Sequence, residues 1–169
     1  MGRAMITEAH GDLLKADVDA LVNTVNTVGV MGKGIALQFR RAYPEMFDSY
    51  ARACREGKVQ VGQMHIWPTG TMDGPRFIVN FPTKKHWRAP SQLSWIDDGL
   101  TDLARVIAEN EIRSIAVPPL GAGNGGLDWA QVRPRIESAL AEIKGLDVRL
   151  FVPQAPPAAE DLVASKRKG

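Results

Sequence analysis

The chain is predicted to fold as an α/β protein, a three-layer α/β/α sandwich around a mixed central sheet. Three observations predict it. Short apolar strands alternate with amphipathic helical patterns along its length. Two strand–glycine–helix units recur, VNTVNTVGVMGKGIA from Val22 to Ala36 and VPPLGAGNGGLDW from Val117 to Trp129. Finally, 44% of the 169 residues are apolar, enough for one buried core.

The elements follow in order. Met5 to Ala9 reads as the first strand, and Gly11-Asp12-Leu13-Leu14 turns out of it. Asp19 to Asn23 reads as the second. Gly34 to Tyr43 is a helix with Ile35, Phe39 and Tyr43 on one face. Pro44 suits the first position of another helix, which runs to about Glu56 and stops at Gly57. Gly62 to Pro68 and Arg76 to Phe81 are strands, joined by a turn from Thr69 to Pro75. In Ser91 to Glu109, Leu93, Ile96, Leu100, Leu103 and Ile107 recur at helical spacing. Ser114 to Val117 and Leu146 to Val152 are strands on either side of a last helix. Pro134 inside that helix predicts a kink, or a regular part that begins near Arg133. Residues 1–152 read as one domain. Residues 153–169, rich in Pro and Ala with a basic end, read as a linker or a truncated end.

Composition narrows the function. The single cysteine, Cys54, excludes a disulfide framework and points to a reducing compartment, here the cytoplasm. His10, His65 and His86 lie far apart, so no metal and no cofactor is expected. No apolar run is long enough to cross a bilayer, so no membrane partner is expected. A formal net charge of +2 is too small to argue nucleic-acid binding from totals. Local clustering matters more, and Lys84, Lys85, His86 and Arg88 gather around Trp87. The chain is expected to be monomeric.

A strand that runs into a glycine-rich loop and then a helix reads as a ready anion site or as a tight strand–helix turn with no ligand, and a second such loop favours the anion site. The glycines let backbone N–H groups approach a phosphate, and the helix N-terminus favours negative charge. Neither loop is a Walker motif or a GxGxxG fingerprint. Loops after parallel strands lie where open α/β sheets bind ligands. Two of them gripping one ligand suit a diphosphate.

GDLL (Gly11 to Leu14), VNTVN (Val22 to Asn26), the loop after it and PPLGAGNGG together resemble a macrodomain, the ADP-ribose-binding fold. NFPTKKHWRAP (Asn80 to Pro90) narrows the resemblance to the lysine-type branch, and with HWRAPSQL to the DarG antitoxin family. The resemblance covers roughly Ile6 to Val152. It implies a hydrolase that removes ADP-ribose from thymidine bases in DNA and pairs with a DarT-like toxin in the full-length protein. A non-catalytic ADP-ribose reader and a hydrolase of ADP-ribosyl esters on protein are the alternatives.

The resemblance also implies residue roles. Lys84, the first of the Lys-Lys pair, matches the catalytic lysine. Asp12, with Leu13 beside it, falls where macrodomains read adenine, and Asn26 falls by the distal ribose; Asn23 reads as structural. Gly32, Lys33, Gly34 and Ile35 form the first phosphate loop. Gly121, Ala122, Gly123, Asn124, Gly125 and Gly126 form the second. Lys85, Trp87 and Arg88 are candidate contacts to a base or to single-stranded DNA. One departure matters. Related eukaryotic enzymes carry an assisting aspartate at the position of Gly125. Asp128, three residues on, reads as a helix cap instead. Its absence favours electrostatic help from Lys84 over covalent attack.

Overall fold

The structure is a computed structural model that describes residues 2–154. Among the described residues, six strands and four α-helices follow in order: β1 (Met5–Ala9), β2 (Ala20–Asn26), α1 (Gly34–Ala42), α2 (Pro44–Arg55), β3 (His65–Pro68), β4 (Phe77–Lys84), α3 (Leu93–Glu109), β5 (Ser114–Val117), α4 (Trp129–Ala141) and β6 (Asp147–Phe151). The strands form one sheet in the order β1-β6-β5-β2-β4-β3. Every pairing is parallel except that of β3 with β4. The sheet is therefore mixed, and its five parallel strands end at one common edge.

Strand alternation sends side chains to both faces, and both are covered. Val22, Val79, Phe81, Ile115 and Val148 pack with Ile96, Leu100 and Leu103 of α3 and Val132, Ile136 and Leu140 of α4. Leu21, Val25, Ile78 and Ala116 pack on the opposite face with Phe39 of α1 and Met46 and Tyr50 of α2. These two layers of apolar side chains make the sandwich.

Where expectation and structure differ, pairing explains it. β2 runs on to Asn26 rather than ending at Asn23, because parallel pairing with β4 continues to Asn26↔Lys84 across a bulge at Val25/Asn26. Ladder pairing outweighs the low strand preference of asparagine. β4 likewise extends past Phe81 through Pro82 to Lys84. β3 pairs only with Phe77–Asn80, so Pro82 sits where β4 has lost one partner strand, a place proline is tolerated. β3 begins at His65, because Val61 to Gln63 form a turn. α3 begins at Leu93, two residues late, and α4 is assigned straight through Pro134. Pro44 and Asp128 take the positions expected of them, N1 of α2 and N-cap of α4. Residues 155–169, most of the expected linker, lie outside the described residues.

Candidate active site

A cavity of about 290 Å3 opens at the carboxyl edge of the sheet, between the loops after β2 and β5. Its floor comes from strand ends: Thr24, Val25 and Asn26 of β2 and Thr83 and Lys84 of β4. One wall holds Val30, Gly32, Lys33, Ile35 and Ala36. The other holds Pro118, Pro119, Gly121, Gly123, Asn124 and Gly125, with Trp87 at the rim. The edge places Lys84, the last residue of β4, inside this space.

The first loop is built around Asn26, which is only 6% exposed. Its Oδ1 accepts from the backbone N–H groups of Val28 and Gly29 at 3.1 Å and of Val30 at 3.3 Å. Its Nδ2 donates to the Val30 carbonyl at 2.8 Å. The Tyr50 hydroxyl, from α2, reaches both the Asn26 carbonyl (2.6 Å) and Oδ1 (2.9 Å). Burial of that phenol pushes its pKa far above the ordinary tyrosine value, so it stays a donor. The Asn26 amide thus acts first as the organiser of the loop. Asn23 is structural: its Nδ2 donates to Asn80 Oδ1 at 3.1 Å, and Asn80 in turn meets His65 Nδ1 at 3.0 Å, all on the α1/α2 side of the sheet. Burial pushes the His65 pKa down, which suits a neutral imidazole accepting there.

The second loop is held by its own backbone. Leu127 N–H donates to the Gly121 carbonyl and Ser91 N–H to the Gly125 carbonyl, both at 2.9 Å. A Cβ on Gly125 would overlap the Gly121 carbonyl oxygen and stand 2.9 Å from its Cα. No aspartate fits there without moving the loop. Asp128 is engaged elsewhere, accepting from Ala130 N–H at 3.0 Å as the cap of α4. The two loops meet where a Cβ on Gly34, at φ +61°, would lie 3.4 Å from Asn124 Nδ2.

Lys84 Nζ lies 3.4 Å from the Trp87 carbonyl oxygen. Burial, and then the nearby charge of Lys33, push its pKa below the ordinary lysine value. Beyond it the chain turns back against the first loop, with Thr27 Oγ1 donating to the Lys85 carbonyl at 2.9 Å. Lys85 leaves the cavity and lies over the Trp95 ring at 5.4 Å. Trp87, 38% exposed, is stacked by His86 at 5.1 Å and covered by the Arg88 guanidinium at 4.4 Å. A base stacking on Trp87 must share or displace these neighbours.

Asp12 and Leu13 lie outside the cavity lining. Asp12 caps a single 3-10 turn, Leu13–Lys15, by accepting from Leu14 N–H at 3.0 Å, and Leu13 is buried in the core. Both follow β1, four strand positions from β4 in the sheet, a span of about 19 Å along the same edge. Gly34, Ala122, Gly126, Lys85 and Arg88 are likewise absent from the lining. Thr24, Val30, Thr83, Pro118 and Pro119 stand inside the quoted motifs, yet nothing in their residue type marks them as lining residues, and the organising Tyr50 lies outside every motif.

The Macro domain family model matches residues 22–136. The solved macrodomain of Mycobacterium tuberculosis DarG superposes with a TM-score of 0.88 at 60% identity, covering 89% of this chain and 99% of that one. This chain belongs to the macrodomain family, among the DarG macrodomains. The macrodomain is also 61% identical over 149 residues to a DNA ADP-ribosyl glycohydrolase of M. tuberculosis, covering 88% of this chain and 42% of that protein. It therefore spans less than half the length of this curated relative. Thermosipho africanus DarTG, solved in complex with ADP-ribose, superposes at a TM-score of 0.84 and 28% identity, over 92% of the macrodomain and 44% of that chain.

Among the described residues, no group of three or more His, Cys, Asp or Glu is placed to hold a metal ion. No helix among them is long and apolar enough to cross a membrane.

Proposed function

We propose that this macrodomain hydrolyses the bond between ADP-ribose and thymidine bases in DNA, as the antitoxin activity that opposes a DarT-like toxin. The observation that carries the reading is Lys84, set at the end of β4 inside a cavity walled by two glycine loops. The 61% identity to a DNA ADP-ribosyl glycohydrolase supports it. In the reaction, water adds to the anomeric carbon of the distal ribose. The bond from that carbon to the thymine ring nitrogen breaks, and the nitrogen regains a proton. ADP-ribose and unmodified thymidine result.

Each residue has a part in this reading. The loops hold the diphosphate, and the sheet edge leads from Lys84 toward Asp12, where adenine is read. Asn26 shapes the first loop, and its contact to the distal ribose requires exchange of one of its present hydrogen bonds. Lys84, as an ammonium, stabilises negative charge on the departing thymine, which is spread over two carbonyls. The steric exclusion of an aspartate at Gly125 favours this electrostatic role over covalent attack. Lys85, Trp87 and Arg88 line the path of a single strand. We place the enzyme in the cytoplasm as a monomer, with residues 1–152 as the catalytic domain.

A substrate panel tests the proposal: an oligonucleotide carrying ADP-ribosyl-thymidine against a protein carrying ADP-ribosyl-glutamate. Wild type should release ADP-ribose from the oligonucleotide. Lys84→Ala should slow release by at least about 100-fold, the usual worth of one preorganised charge-stabilising group, with ADP-ribose affinity kept within a few fold. Binding without release by wild type would make the domain a reader, and release from the protein alone would redirect the activity. An undiminished rate in Lys84→Ala would remove the lysine from the mechanism.

A further inference from the structure

Among the described residues that line the cavity, only Lys33 and Lys84 carry charge, and both are cations. They come from different elements. Lys33 is the N-cap residue of α1 and caps through its backbone, without a side-chain hydrogen bond. Lys84 ends β4, its ammonium beside the Trp87 carbonyl. The other elements at the cavity supply no counter-charge: β2 offers Thr24, Val25 and Asn26, and the second loop offers glycines and Asn124. The remaining titratable groups near Lys84 lie on its own segment and face other partners. Lys85 lies over Trp95, while His86 and Arg88 pack on Trp87.

We propose that Lys33 is a positioning residue that acts on Lys84 through charge, and that the ligand's diphosphate completes the arrangement. In the empty site the two cations oppose each other. A phosphate seated on Lys33 cancels its charge and adds an anion near Lys84, which then holds its proton while the base departs. The inference rests on the function proposed above. It adds that the substrate itself strengthens the hold of the catalytic lysine on its proton, so the cavity is best poised when an anionic ligand fills it. The direction agrees with the structure, where burial and then Lys33 weaken the hold of Lys84 on its proton.

Lysine-selective isotope labelling and NMR test this without turnover. The Lys84 side-chain signal, assigned by its loss in Lys84→Met, is titrated with pH in wild type, Lys33→Met and Lys33→Arg, each free and saturated with ADP-ribose. Lys33 is exposed, so these variants should fold. In the free proteins the Lys84 midpoint should rise in Lys33→Met and stay near wild type in Lys33→Arg, which keeps the charge. Added salt should raise the midpoint in wild type more than in Lys33→Met, because salt screens the opposing cation. ADP-ribose should raise the wild-type midpoint. A residue that merely contacts phosphate would change affinity and leave the free-protein titration alone. Equal midpoints in free wild type and Lys33→Met, or no response to ADP-ribose, would overturn the proposal. Full cleavage by Lys84→Met would instead remove the catalytic role proposed above, while the titrations judge the charge coupling separately.

Discussion

The two glycine-rich loops face one cavity, yet they are held in opposite ways. The loop after β2 is organised by side chains: the Asn26 amide gathers three backbone N–H groups, Tyr50 holds Asn26, and Thr27 ties the loop to the segment after β4. The loop after β5 has its hydrogen bonds through backbone, with Leu120 and Leu127 packed on the core, and is folded so tightly that Gly125 has no room for a Cβ. A loop held by side chains can present other side chains, and the first one carries Lys33. A loop held by carbonyls and glycines presents N–H groups and little else. The division suits a site that needs adjustable charge on one side and close backbone approach to phosphate on the other.

Substitutions at three positions can break or sharpen this contrast. The largest effect is expected at Gly123, which lines the cavity and where an added Cβ would meet no atom within 4 Å, so a side chain there fits the fold. Gly123→Glu should therefore keep its melting temperature while losing ADP-ribose affinity by more than about 100-fold, roughly 2.7 kcal/mol. Calorimetry that finds normal binding would mean the second loop does not touch the ligand. Two residues on, Gly125→Ala should behave differently. Its methyl group meets the Gly121 carbonyl, and overpacking of this kind costs about 2 kcal/mol. Thermal unfolding should show it as a fall of about 4–8 °C. An unchanged melting temperature would mean that the loop relaxes freely and is not held by its backbone.

The smallest effect belongs to the first loop. Tyr50→Phe removes one donor while leaving the Asn26 bonds to the loop in place, so stability should drop by about 1 kcal/mol. ADP-ribose binding should weaken with it, since the loop loses its anchor to α2. If binding and stability are both unmoved, Asn26 organises the loop unaided.

The sequence by itself determined the layers of this protein. Short apolar runs in the strands and helical spacing in Ser91 to Glu109 are local patterns of the sequence, so they are readable without knowing what packs against them. The same holds for Pro44 and Asp128, whose roles depend on their own turn. The glycine loops and Lys84 were legible as motifs for a similar reason. Strand ends were less so, because Asn26 and Lys84 count as strand only through pairing with each other across the sheet. Tertiary structure alone decided that Lys33 and Lys84, 51 positions apart in the chain, share one cavity, and that Tyr50 holds Asn26 from a different layer. It also decided why position 125 is glycine. The obstacle is the Gly121 carbonyl, and a steric contact between two turns of one loop leaves no trace in residue type until the chain is folded.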